Sequence, residues 1–348
     1  MKSIEDRKVR WCEMQNPTTT GRKFVYLINY PMPNAPANPK FWPDHKQERI
    51  EWSWKRYLCF LDRVSKVDDD LVPFLGVGSG SEIYAEAFGC AVYRPEDHMP
   101  MAISLIHSAA EVAKIKVPRL EDSSLMLLFD IADVLCERAG KGALLGLPDI
   151  QSPMDIAAQI WDKTDFFAAM VEEPQAVKDL AAMTKELLTE FLDAWIGRYG
   201  TALFANCPDF YMPQGIALAD DEIGNVNPDM FEEFFRDELN ELSDRYGGIG
   251  IHCCANSEHQ WENLSTVRNL KFLNLYQPQM VIDRAYQYFS PFAAHWHGAL
   301  VNGVPGPLQH RLANEYPENA RVVITHDAPD EDSAQRLAAQ LAVEYPWE

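Results

Sequence analysis

The amino-acid sequence predicts an α/β protein, a single (β/α)8 TIM-type barrel preceded by an irregular N-terminal extension. Three observations predict it. From Leu71 onward, short apolar runs alternate with longer stretches of helical period, as parallel strands joined by crossover helices do. Polar and charged side chains collect just after those apolar runs, where barrels and doubly wound sheets alike carry their chemistry. A chain of 348 residues, 47% of them hydrophobic, suffices for one barrel with an extension. The expected division is an extension over residues 1–70 and a barrel domain over residues 71–348.

The elements follow in order. Pro31, Pro33, Pro36, Pro39 and Pro43, five prolines in thirteen residues, exclude a long helix from a segment that also carries Tyr30, Phe41 and Trp42. This extension is expected to wrap the main domain as an arm, with part of it covering a pocket. Leu71–Val77 reads as a strand running into Gly76, Gly78 and Gly80, and Gly142–Leu147 as one ending at Pro148-Asp149. Ser152-Pro153 then opens a helix, with serine as N-cap and proline at the first helical position. A longer helix opens at Pro174 and runs through Leu180, Leu187 and Phe191 to a stop at Gly200. Ile216–Ala219 reads as a strand ending in Asp220-Asp221. Asn227-Pro228 opens a helix whose apolar face carries Phe231, Phe234, Phe235, Leu239 and Leu242 and which Gly247-Gly248 ends. Ile249–Ile251 is the next strand, Ala293–Leu300 another, and Arg321–Thr325 the last, delivering His326-Asp327.

Charge excludes whole classes of partner. With 31 basic and 52 acidic residues the formal net charge is −21, which repels phosphate backbones and anionic lipid surfaces, and no local basic patch offsets it. Nucleic acid and membrane are therefore not expected partners. The N-terminus is charged where a secretory signal would be apolar, and no apolar run approaches the ~18 residues of a membrane span, so a cytoplasmic protein is expected. The cysteines are seven, an odd number without a repeating framework, which argues against a disulfide scaffold. Cys12, Cys59, Cys90 and Cys136 read as small buried hydrophobes. Gly76–Ser81 is glycine-rich but lacks the lysine of a phosphate-binding loop and the spacing of a dinucleotide fingerprint.

The chemistry gathers at His252-Cys253-Cys254-Ala255-Asn256. Alternate side chains of a strand share a face, so His252 and Cys254 point one way and Cys253 the other, a spacing that suits one transition-metal ion. The plain alternative is a polar pair closing a strand by hydrogen bonds. Likewise the Asp220-Asp221-Glu222 run is open to reading as a solvated loop or as helix N-terminal charge.

Several blocks together resemble the uroporphyrinogen decarboxylase superfamily. They are Gly80-Ser81-Glu82-Ile83 through Gly89, Pro148-Asp149-Ile150-Gln151-Ser152-Pro153, the Asp-Asp pair followed by Asn227-Pro228-Asp229-Met230-Phe231, and the run from Gly248 to Asn256. The resemblance covers roughly residues 70–290 and implies a single β/α barrel. That superfamily holds porphyrinogen decarboxylases and zinc-dependent methyltransferases that work with corrinoid proteins. The decarboxylases carry an N-terminal Arg-x-x-x-Arg clamp for a highly anionic substrate; between Arg22 and Trp42 this chain offers only Arg22, Lys23 and Lys40. It keeps His-x-Cys, which the methyltransferase branch uses for zinc.

The resemblance therefore implies a zinc-dependent methyltransferase moving a methyl group between a small molecule or thiol and a corrinoid, the corrinoid being carried by a partner protein. His252 and Cys254 would be metal ligands. Relatives take a second cysteine from near the last strand, but no cysteine follows Cys254, so His326 is the first substitute, ahead of Asp221 and Asp220 and of His295 and His297. Asp221 and Asp149 are the candidate catalytic carboxylates; Gln151, Asn256 and Asp220 are candidate substrate contacts. Two other readings stand beside this one: a metal-free decarboxylase, a lyase acting on a small carboxylic acid, and a non-catalytic barrel that docks a corrinoid protein.

Overall fold

The computed structural model describes residues 1–31, 35–96, 98–206, 209–275, 277–289, 299–301, 304–306 and 313–347. Its central strands are β1 (Lys23–Asn29), β2 (Phe74–Leu75), β3 (Leu144–Gly146), β4 (Ile216–Ala219), β5 (Ile249–Cys253), β6 (Leu270–Leu275) and β7 (Arg321–Asp327). All pairings among them are parallel. β7 lies beside β1 in unbroken register from Arg321↔Lys23 to Asp327↔Asn29, β2 pairs with β3, and β5 lies between β4 and β6. A single bridge between Gln151 and Ala219 joins the segment after β3 to β4, and the Asp70 amide donates to the Tyr26 carbonyl at 3.0 Å, tying the lead-in to β2 onto β1. Within β2–β3 and β4–β6 the neighbours follow chain order, as in a (β/α)8 barrel, while the second edge of β3 is taken by the parallel strand Leu203–Ala205. Among the described residues the ladder does not close into a ring.

Local sequence explains the elements. β4 and β5 are buried along their whole length, the mark of parallel strands covered on both faces, and their residues are apolar up to the point where the chemistry starts. Gly250 has a packing reason: a Cβ there would run into the Phe272 ring of β6. Among the helices, α1 spans Ile4–Gln15, α2 Lys46–Arg63, α3 Met126–Ala139, α4 Pro153–Ile160, α5 Pro174–Tyr199, α6 Pro228–Phe234, α7 Arg236–Tyr246 and α8 Glu331–Glu344. Ser152 caps α4 by accepting from the Asp155 amide at 3.0 Å, and Asn227 caps α6 by accepting from the Met230 amide at 2.9 Å. Gly247, at φ 81°, ends α7 in the left-handed conformation.

Three expectations are corrected. Residues 1–70 are not irregular: they carry α1, β1 and α2, and β1 is hydrogen-bonded into the central ladder. Proline crowding describes only the stretch around 31–43, where the described residues form no α-helix, whereas Ser3 and Asp6 build a reciprocal capping box that starts α1. The helix opening at Pro228 is two helices that meet at Phe235, whose φ of −112° departs from the helical mean while its amide still donates to the Phe231 carbonyl at 3.0 Å. Phe231 and Phe235 stack with ring centroids 5.8 Å apart, so the apolar period continues through the junction. Of the cysteines expected in the core, Cys90 is buried, Cys59 and Cys136 are half-buried, and Cys12 is exposed on the outer face of α1.

One hairpin lines the site. Leu203–Ala205 runs parallel beside β3 and turns back as the antiparallel strand Phe210–Met212. Phe204 stacks on Phe74 of β2 at 4.1 Å and 7°, and Phe210 meets Trp11 of α1 edge-on at 4.8 Å. Among the described residues, no helix is long and apolar enough to cross a membrane.

Candidate metal centre and adjoining pocket

The site is built at the C-terminal ends of adjacent strands. His252 is the fourth residue of β5, and the register sets it beside Ala219 of β4 on one side and Asn274 of β6 on the other. Asn274 Oδ1 stands 2.6 Å from His252 Nδ1, both residues being buried. With the proton on Nδ1 donated to that amide oxygen, the imidazole lone pair lies on Nε2. Cys254 follows just past the strand end, and the intervening Cys253 turns into the core, where burial pushes its thiol well up.

Asp221, just past β4, completes the group. One donor atom from each of Asp221, His252 and Cys254 lies within 4.8 Å of the others, and this is the group of potential metal ligands found among the described residues. Asp221 Oδ1 accepts the Cys254 amide at 2.6 Å, and its two oxygens lie 3.2 and 3.1 Å from the Cys254 Sγ. Burial and the Asp221 carboxylate push the Cys254 thiol up to about 12. The Asp221 loop is itself held from below: Asp155 Oδ2 accepts the Asp221 amide at 2.8 Å and Asp155 Oδ1 the Glu222 amide at 3.0 Å.

One nitrogen, one sulfur and one carboxylate oxygen are donor types that a three-ligand zinc site with an open position uses. In a tetrahedral shell with bonds of about 2.0–2.3 Å such atoms stand roughly 3.5 Å apart, so the present spacing needs only side-chain adjustment.

The other expected residues take different places. Asp149 lies at the end of β3, its amide donating to Ser79 Oγ at 2.8 Å and its carboxylate accepting from Gln151 Nε2 at 3.0 Å and from Asn206. Burial raises its pKa, and the nearby His252 works against that rise. Gln151 is buried beside Asp149 and bridges to β4. Asp220 is fully buried; it accepts from Ser152 Oγ at 2.9 Å, and its amide donates to the His252 carbonyl. Its burial and the neighbouring Asp155 push its carboxyl well up. Asn256 is exposed and accepts the Glu258 amide at 3.3 Å, just ahead of the short turn Glu258–Gln260. His326 sits near the end of β7 beside Ile28 and is not in the Asp221–His252–Cys254 group. His295 and His297 lie outside the described residues.

Sequence reasoning missed Asn274 and Asp155, which orient the ligand residues. Asn274 had a signal, a lone amide inside the apolar run Leu270–Leu275; Asp155, at the third position of a capped helix, reads from sequence as helix-dipole charge.

Next to Asp149 opens a cavity of about 280 Å³, walled by its partners Ser79 and Asn206 and by Asn38, Phe41, Trp52 and Arg56. A second cavity of about 200 Å³ continues from it over the end of β1 and shares Arg56, Phe74 and Asp209 with it.

Comparison with known proteins follows the same lines. The family model described as uroporphyrinogen decarboxylase (URO-D) matches residues 76–275. No curated protein matches the sequence. Among solved structures, a methyltransferase from Methanosarcina mazei aligns with a TM-score of 0.64 over 98% of this chain and 99% of its own, at 13% sequence identity. At that identity the likeness speaks for a common fold.

Proposed function

Because this chain belongs to the uroporphyrinogen decarboxylase (URO-D) family, we propose that it is a zinc-dependent methyltransferase on a (β/α)8 barrel, moving a methyl group between a small molecule or thiol and a corrinoid. The observation that carries this reading is the convergence of Asp221, His252 and Cys254 donor atoms within 4.8 Å at the ends of β4 and β5. The methyltransferase name of a structural relative that shares nearly the full length of the chain supports it.

Zinc bound there supplies Lewis acidity, lowering the pKa of a thiol or polarising the atom that carries the methyl group. The chain's own residues do the rest. Asn274 fixes the His252 ring and its tautomer, Asp155 fixes the loop that presents Asp221, and the Asp221 carboxylate holds the Cys254 amide and thiol in place. Asp149, with its carboxyl raised by burial and its position set by Ser79 and Gln151, is the group beside the pocket suited to hold or deliver a proton. A corrinoid, brought by a partner protein, would approach from the strand-end face.

Elemental analysis of the purified protein tests the reading: about one zinc per chain is expected, with both zinc and methyl transfer lost in Cys254→Ala and His252→Ala. Folded, active protein without metal would overturn it. The alternative of a metal-free lyase on a small acid draws on the raised carboxyl of Asp149, and full activity after chelation would favour it.

A further inference from the structure

Helix α2 carries Arg49, Arg56 and Arg63 at seven-residue intervals. Seven residues are close to two helical turns, so the three guanidinium groups leave one face of the helix. That face looks onto the row of cavities above the strand ends, where Arg56 lines both cavities of the candidate pocket and Arg63 the second. In a chain of net charge −21 this row is an exception.

The outer two arginines are committed to the fold. Arg49 is 4% exposed and donates to the Gly78 carbonyl at 2.6 Å, and Arg63 is 5% exposed and paired with the fully buried Asp69. Arg56 differs. Its partner is Asp209, at 2.7 Å, whose side chain keeps 46% of its surface exposed just before the strand Phe210–Met212. An ion pair with so exposed a partner is weak and exchangeable. The guanidinium is nevertheless held in place: its carbon stands 4.6 Å over the Phe60 ring, 5.0 Å over Phe74 and 5.5 Å over Trp52. Gly76 leaves the room for it, since a Cβ there would come within 2.9 Å of Arg56 Nη1. Aromatic faces fix a guanidinium while leaving its N–H fork to an in-plane partner.

We infer that Arg56 is the anion anchor of the pocket, binding the acidic group of a small organic acid through its N–H fork after displacing Asp209. The aromatic and apolar walls, Phe41, Trp52 and Phe74 among them, take the remainder of the molecule. Ser79 and Asn206 then set the far end of that molecule beside Asp149. The substrate class follows: one acidic head on a compact body, in contrast to a substrate bearing many carboxylates. The inference rests on the strand-end pocket being the substrate site, but it does not require a metal.

The test uses the full-length protein stripped of metal, with butanoate and its uncharged isostere butanamide as thiol-free probes, read by saturation-transfer NMR and calorimetry. Butanoate is expected to bind at least about tenfold more tightly than butanamide, and Arg56→Met to abolish that preference, since a charge-assisted pair is lost. Asp209→Asn, which removes the competing carboxylate and leaves α2 intact, is expected to strengthen butanoate binding severalfold. Equal binding of acid and amide, no binding of either at millimolar concentration, unchanged binding in Arg56→Met, or weaker binding in Asp209→Asn would each overturn the assignment. Because the probes lack a thiol and the protein lacks metal, failure here is distinguishable from failure of the zinc-dependent reading, which zinc content and Cys254→Ala decide.

Discussion

Cys254 in the metal-free protein holds its proton tightly, because burial and the Asp221 carboxylate push the thiol up to about 12. Metal binding must remove that proton, so near neutral pH the apparent zinc affinity should climb about tenfold per pH unit from this group alone. Calorimetry in buffers of different ionisation enthalpy should record about one proton released per zinc from Cys254, and a proton count unchanged in Cys254→Ala would contradict it. Asn274 offers a second check. Replacing it with alanine removes the partner of His252 Nδ1, and zinc affinity measured against a chromophoric chelator is expected to fall about 10–100-fold with little change in secondary structure. At this scale the sequence was partly legible. His252 and Cys254 share a face because strand residues alternate, and that needs no structure. Which acid meets them does not follow from alternation: Asp220 and Asp221 are neighbours, one fully buried against Ser152 and the other at the centre, and only the placement of the loop after β4 decides between them. His326 was attractive as the product of a last strand, yet strand order alone does not fix how far along its strand a side chain sits from a centre on β4 and β5.

Helix boundaries were the most legible part of the elements, since Pro153, Pro174 and Pro228 open helices and Gly200 and Gly247 close them. These residues act through their own backbone restrictions, so their effect is local and readable. The division at Phe235 was not readable, because apolar spacing reports which face is buried and not how far one residue's dihedrals depart from the helical mean. The hairpin Leu203–Met212 was missed for a related reason: its strands are three residues each, too short for periodicity to register. Close packing of β5 on β6 gives an element-level prediction. Gly250→Val puts a branched side chain against the Phe272 ring in a fully buried strand and should cost about 1–3 kcal/mol, seen as a lower midpoint in urea unfolding at unchanged slope. A midpoint equal to that of the parent would mean that β6 shifts freely relative to β5.

For the whole molecule, the alternation of apolar runs and helices announced an α/β protein, and the central strands pair in parallel, β2 with β3 and β4 with β5 and β6, neighbours following chain order. What composition concealed was the contribution of the first 70 residues, where prolines and aromatics outweigh the signal of β1 even though β1 takes a place in the central ladder. Net charge said nothing of the arginine row on α2, because a sum over the chain has no address. Stability as a function of pH is also a property of the whole. Burial, Glu222 and Asp221 push the Asp155 carboxyl up to about 8, above its ordinary value of 3.8, so the native state binds more protons than the unfolded one between those values. Stability contributed by this group is therefore fully present below about pH 4 and declines as pH rises toward 8. Thermal unfolding should show a falling midpoint over that window, and Asp155→Asn, which does not ionise, should flatten it; an equally steep profile in the variant would place the effect elsewhere.

The pairing of β1 with β7 has a consequence for how the molecule is made. Asn29 and Asp327, 298 residues apart in sequence, sit side by side at the end of that pair, and Trp347 Nε1 donates to Glu13 at 2.8 Å. During synthesis β1 leaves the ribosome long before β7 and waits for the partner on that edge while the residues between them are translated. Contacts that span so much sequence slow folding and leave an open strand edge available to neighbouring nascent chains.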